Sequence, residues 1–127
     1  MSVQSKKRLF VWGRDRRGSL GLGRQAVGEM VHKSTELDVE NIEWAQIACG
    51  GDFTAAVSSN GEVLTWGGGG ALGHGDGEDR IVPTKVEMLS GETIVKVACN
   101  HVHMAAVSSR GKLFTWYVIL IEIITVS

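Results

Sequence analysis

Cys99-x-His101-x-His103 sets three metal-capable side chains at alternate positions. On a β-strand, residues i, i+2 and i+4 share a face, so such a triplet could contribute to a zinc site. A closed zinc site also needs a fourth ligand. Fifty residues earlier, Cys49 is followed by Gly51 and Phe53 at the matching places. The thiol therefore recurs without the other ligands and reads as a small buried core group. A second candidate, Gly68-x-Gly70-x-x-Gly73, spells a dinucleotide-binding fingerprint. That motif works only where it opens a helix, and His74-Gly75-Asp76-Gly77 follows here. Asp76, Glu78 and Asp79 crowd one Gly-rich loop without the regular ligand spacing of a calcium loop. No Ser-His-Asp set and no paired carboxylates stand out. The reading is of no catalytic residue, no metal and no cofactor.

Charge gives a different kind of candidate. The chain as a whole carries −1, which offers no argument for specific nucleic-acid binding. Its distribution is uneven. Seven basic residues against Asp15 leave the first 24 residues at +6, and the remainder, with 6 basic and 13 acidic residues, at −7. Arg14, Asp15, Arg16 and Arg17 follow directly on Trp12-Gly13, and His74 and Asp76 lie in the loop after Trp66-Gly67. Planar guanidinium groups on a long polar loop suit forked bonds to a partner's carboxylates. These six residues are the expected partner-binding set. Lys6-Lys7-Arg8 is a short basic run and is not followed by a long apolar stretch, so it does not read as a signal peptide. The apolar block Val118–Val126 contains Glu122 and falls short of the ~20 residues that span a bilayer. With two cysteines in no Cys-x-x-Cys pair, the expectation is an intracellular protein, cytoplasmic or nuclear.

The elements that would carry these loops come from internal repetition. "IACGGDFTAAVSSNG" (47–61) and "VACNHVHMAAVSSRG" (97–111) are identical at eight of fifteen positions. Trp66 and Trp116 keep the same offset of fifty, and Trp12 precedes Trp66 by 54. Val95, Val97 and Cys99 alternate with Lys96, as in a strand with one buried face. Residues 54–57 and 62–66 are two short apolar runs about Ser58–Gly61, and residues 104–107 and 112–116 repeat them about Ser108–Gly111. Both read as hairpins, with Gly61 and Gly111 supplying the positive φ of a tight turn. Residues 24–43 are polar and read as a long connection. The fold class expected is all-β, with antiparallel four-stranded blades of an incomplete β-propeller. The organisation expected is a basic segment 1–8, about two repeats over 9–116 (the end of one, then 24–75, then a partial 76–116), and an apolar tail 117–127.

The repeat resembles the regulator of chromosome condensation family. Its pattern is a small-Cys-Gly strand, a hairpin, an apolar run ending in Trp-Gly, and then Gly-x-Leu-Gly-x-Gly. Trp12-Gly13 through Gly18, Gly21 and Gly23 fits throughout, and Trp66-Gly67 through Gly73 and Gly75 fits with two residues deleted. Pro83 and Val86 suit the entry to the next strand. Phe53 stands where the family has His, and Asn100 where it has Gly. The recurring tryptophans read as wedges packed between blades. The resemblance implies a protein-binding module without enzymatic activity. The alternatives are guanine-nucleotide exchange on a Ran-like small GTPase, in a full-length form only, or a nonfunctional truncated product. A plant ultraviolet photoreceptor resembles the family too, but its Gly-Trp-Arg-His-Thr signature is absent here.

Tyr117 breaks the pattern where glycine is due, and residues 117–127 share nothing with the repeat. They read as a foreign tail that prolongs the 112–116 strand. A seven-bladed ring needs ~350 residues at ~50 per blade, so this chain reads as a truncated product. Open sheet edges and the β-branched tail then favour self-association.

Overall fold

The computed structural model describes residues 7–117 and 120–125 and is all-β, with no α-helix among them. Strands β1 (Phe10–Arg14) and β2 (Met30–Glu36) form a two-stranded antiparallel sheet. Strands β3 (Trp44–Cys49), β4 (Phe53–Ser58), β5 (Val63–Gly67) and β6 (Arg80–Lys85) form a four-stranded meander in that order. Strands β7 (Ile94–Cys99), β8 (Met104–Ser108), β9 (Lys112–Tyr117) and β10 (Leu120–Thr125) form a second one.

The repetition seen in the sequence is repeated in register. Ile47 opposes Ala56 as Val97 opposes Ala106, and both inner pairs carry an irregularity at their start, Trp44/Gln46 and Ile94/Lys96. Both hairpins form where the turn residues place them. Gly61 and Gly111 take φ +82° and +81°, and their N–H groups donate to the carbonyls of Ser58 and Ser108 at 3.0 Å. The serine hydroxyls accept from the N–H of Glu62 and Lys112 at 3.1 Å, closing each turn a second time. Gly61 has a further task. Its carbonyl accepts from Ile94 N–H at 3.0 Å, so the hairpin tip of one sheet anchors the first strand of the next.

Two apolar clusters fill the spaces between sheets. Leu9, Val11, Leu37, Trp44, Ala56, Leu64 and Trp66 lie between the first and second sheets. Phe53, Ala55, Val57, Val63, Leu72, Val97, Phe114 and Trp116, among others, lie between the second and third. A polar clasp spans the latter gap. The Gln46 amide donates to Val97 C=O and accepts from Val97 N–H, both at 2.8 Å, and thereby satisfies one backbone rung of β7.

Four expectations are corrected. Residues 24–43 are not a plain connection, for they contain β2. That strand, Met30–Glu36, is largely exposed and lacks the period-two apolar alternation that marks a half-buried strand. Pro83 lies inside β6 rather than at the entry to a following strand; β6 is an edge strand, where a missing N–H is tolerated. The tail does not prolong β9. Its residues Leu120–Thr125 pair back on it antiparallel, from Leu120↔Tyr117 to Thr125↔Lys112, in the outer place that β6 takes in the second sheet. Finally, Trp66 and Trp116 are buried wedges but Trp12 is largely exposed. Each buried indole lies on a glycine of the preceding repeat, Trp66 on Gly21 and Trp116 on Gly73.

Candidate functional site

The loop after Trp12-Gly13 is shaped from within. Asp15, expected among the partner-facing residues, is fully buried. Its carboxylate Oδ1 accepts from Leu20 N–H at 3.1 Å, and its backbone bonds to Glu29 and Gly28 at 2.8 and 2.7 Å. Oδ2 has no hydrogen-bond partner among the described residues. Asp15 therefore folds the loop back on β2 instead of offering its charge outward. Arg17 adopts φ +54°, an uncommon left-handed conformation for a side-chain-bearing residue, and Gly18 follows at +85°. A Cβ at Gly18 would stand 2.8 Å from Ile81 Cα, so the loop passes too close to β6 for any other residue.

That bend carries the Arg17 guanidinium to two acids from different loops. It donates to both oxygens of Asp79 at 2.6 and 3.2 Å and to Asp52 at 3.3 Å. Asp79 Oδ1 also accepts from Gly69 N–H at 2.9 Å. The Arg17 hydrogen bond, with help from that N–H, holds the Asp79 carboxyl below its ordinary range, against a desolvation effect in the other direction. These ion pairs are half-exposed, where each contributes about 0.2–1 kcal/mol. Their service is geometric: Arg17 ties together the loop after β1, the β3–β4 loop and the loop before β6.

Around this tie opens a cleft of about 910 Å³. Arg14, Arg16 and Arg17 stand on one side, with Val27, Phe53, His101 and Val102 among its other walls. Arg14 donates one bond to Gly28 C=O at 3.3 Å. Among the described residues no partner binds the Arg16 guanidinium, whose residue holds the loop only through its backbone. Arg17 brings one positive charge to the two acids Asp52 and Asp79, so that cluster keeps a net −1, and the cations of the cleft not tied to an acid are Arg14 and Arg16. Val102 is exposed and Val27 partly so, which gives the cleft apolar wall beside its cations.

His74 and Asp76 do not join this cleft. His74 lines a separate depression of about 280 Å³ with Arg80, Thr84, Lys85 and Met88. Its Nε2 lies 2.9 Å from Thr65 Oγ1, and the Thr65 hydroxyl donates to Leu72 C=O at 2.8 Å. Burial first, and the Arg80 charge second, push the His74 pKa down. Asp76 is paired with Arg80 at 2.9 and 3.2 Å, and that bonding lowers its pKa. Sequence reasoning thus missed Asp52, Val27, His101 and Val102 as cleft residues. It noted Asp79 only as an acid of a Gly-rich loop without calcium-loop spacing. The missing signal was distance along the chain, since Arg17 meets partners 35 and 62 residues away.

The chemistry-bearing motifs of the sequence have structural places. Gly69–Ala71 is one 3₁₀ turn, not the opening of a helix. Cys99 packs against the larger apolar cluster, and burial, then the neighbouring Cys49, pushes its thiol up to about 12. Cys49 departs from the expected core role, being exposed. No group of three or more metal-capable side chains is gathered among the described residues.

The chain has clear counterparts. Residues 8–57 and 60–107 match the Regulator of chromosome condensation (RCC1) repeat, and residues 44–71 match a second description of the same repeat. Among proteins of known name, the human E3 ubiquitin-protein ligase HERC2 is 35% identical over 100 residues, covering 77% of this chain and 2% of that protein. The Ultraviolet-B receptor UVR8 of Arabidopsis thaliana is 39% identical over 100 residues, covering 77% of this chain and 22% of the receptor. Among solved structures, human WBSCR16 superposes with TM-score 0.80 at 25% identity, over 93% of this chain and 35% of that one. Yeast RCC1 (Prp20), solved bound to Kap60, superposes with TM-score 0.72 at 23% identity, over 87% of this chain and 28% of that one. The second likeness is one of fold. The chain thus spans a small part of the length of each of these relatives.

Proposed function

The chain belongs to the Regulator of chromosome condensation (RCC1) repeat family, and on that premise we propose that it is a protein-interaction module whose docking site is the cleft around Arg17. The observation that carries this reading is the division of labour among three adjacent arginines. Arg17 is spent on Asp79 and Asp52, while Arg14 and Arg16 face the cleft beside Val27 and Val102. Cations set against apolar wall suit an acidic segment of a partner protein that also carries an apolar side chain. The relatives support a protein partner in kind, since yeast RCC1 is solved with Kap60. In this reading the chain performs no catalytic step itself.

The test is binding of fluorescent acidic peptides, with and without a Leu or Phe, at two salt concentrations. Arg14→Ala/Arg16→Ala should weaken capture about tenfold or more with an unchanged circular dichroism spectrum. Exposed charge pairs weaken as salt rises, so affinity should fall at the higher concentration. Equal binding by the double variant would overturn the assignment.

A further inference from the structure

The cleft around Arg17 also has an acidic side, and its two acids are engaged to different degrees. Asp79 takes two bonds from the Arg17 guanidinium and one from Gly69 N–H. Asp52 receives a single long bond, from Arg17 to Oδ2 at 3.3 Å, and its Oδ1 has no hydrogen-bond partner among the described residues. The Asp52 side chain is 36% exposed, so a group brought into the cleft can reach it. Asp15 adds a third carboxyl to the lining of the same cleft. It is fully buried, and its Oδ2 is likewise unpartnered among the described residues. The acidic side therefore holds a net negative charge and two carboxyl oxygens with unfilled hydrogen-bonding capacity.

The other two cations of the cleft are kept off these acids. Arg14 and Arg16 line the cleft with Asp52 and Asp79, yet neither forms an ion pair among the described residues. Arg14 is held on Gly28 C=O instead. The left-handed backbone at Arg17 and Gly18 turns the chain there, so that of the three arginines only Arg17 reaches the carboxylates. Charge in the cleft is thus segregated, with Arg14 and Arg16 on one side and Asp52, backed by Asp79, on the other. A wholly acidic segment would be attracted by the first and repelled by the second.

We propose that the segment docking in this cleft is of mixed charge, with an acidic residue for Arg14 and Arg16 and a lysine or arginine whose cation is taken by Asp52. The proposal rests on the docking role given to the cleft above and adds the second charge that the partner must carry. Asp52 is then the specificity-determining residue, and it selects in two ways. Its free Oδ1 accepts a charge-assisted bond from the partner's cation. Its own charge works against a partner that places a further acid there. The long stem of the partner's basic side chain can lie along the apolar wall of Val27 and Val102 while its head reaches the carboxylate.

The probe is a series of fluorescent peptides read by anisotropy against the full chain. The parent peptide carries a pair of glutamates and a leucine. Its derivatives add one lysine at successive positions on either side of the glutamates, or norleucine in the same place, which keeps the apolar stem and lacks the charge. The best lysine peptide should bind about two- to fivefold tighter than its norleucine twin, the range of a half-exposed ion pair, and added salt should shrink that gain. Asp52→Asn should abolish the lysine gain and at the same time strengthen binding of the parent peptide, because a charge that repelled it is gone. A variant that failed to fold would lose both, so the opposite signs separate specificity from stability. Equal binding of lysine and norleucine peptides at every position would overturn the proposal, and so would a lysine gain that survives Asp52→Asn. If the parent peptide binds through Arg14 and Arg16 and no lysine improves it, the mixed-charge proposal falls and the docking site stands. If no peptide binds, both fall.

Discussion

Gly73→Ala is the sharpest perturbation of the contact that holds these sheets together. Gly73 has φ +80°, and a Cβ there would stand 2.9 Å from Trp116 Nε1 and 3.1 Å from Cε2. Two effects add. The left-handed backbone costs a residue with a Cβ about 1–2 kcal/mol. The displaced indole loses its bond to Ala71 C=O, and a buried donor left unpaired costs about 1–3 kcal/mol more. The expected destabilisation is about 2–5 kcal/mol. Gly75→Ala separates the two effects, because Gly75 has φ +82° but nothing within 4 Å of its would-be Cβ. That variant should lose only about 1–2 kcal/mol, the backbone share. Urea denaturation followed by tryptophan emission reads both, and the difference between their midpoints isolates the socket. Equal losses in the two variants would refute the knob-and-socket reasoning. So would a native Trp116 emission spectrum unchanged by Gly73→Ala.

Thr54→Val should be nearly neutral, within about 1 kcal/mol. Thr54 Oγ1 donates to the Ser19 carbonyl at 2.9 Å, and a single hydroxyl–carbonyl bond contributes about 0.5–1.5 kcal/mol net; a loss above about 2 kcal/mol in urea titration would refute this. His74 should make stability fall as pH is lowered from 7 to 5. Its folded pKa lies below the ordinary 6.5, so in that window the unfolded chain binds more protons and stability rises with pH, an increment that His74→Gln should remove from the pH dependence of the urea midpoint. Thiol titration of the native protein at pH 8 should show Cys49 reacting fast and Cys99 reacting only on unfolding, since the Cys99 thiol sits near 12 and partly buried.

What could be read from the chain, and what could not, follows from how local each determinant is. The hairpins at Ser58–Gly61 and Ser108–Gly111 were legible because turn chemistry acts within four residues and occurs twice. The inner strands were legible because their short apolar runs flank the turns and recur at the same offset; β8 alternates in burial, whereas β4 and β5 are buried on both faces. Strand β2 was not, since an outer strand exposed over most of its length has no alternation to display. Trp12 has the same sequence context as Trp66, and only the glycine that an indole rests on distinguishes them. In the cleft, Arg14 and Arg16 were legible as exposed cations. Asp15 was misread because a buried carboxylate is rare, and this one is held by the backbone of its own loop. Arg17 was misread as free because its acids come from loops remote in sequence.

The claim that the cleft around Arg17 receives an acidic segment is tested most directly by amide chemical-shift mapping of the full chain during titration with an acidic, leucine-containing peptide. The account predicts shifts centred on Arg16, Gly28, Gly51, Phe53 and Val102, lost in Arg14→Ala/Arg16→Ala. Shifts centred instead on the His74–Arg80 depression, or a cleft left unperturbed at saturating peptide, would contradict it.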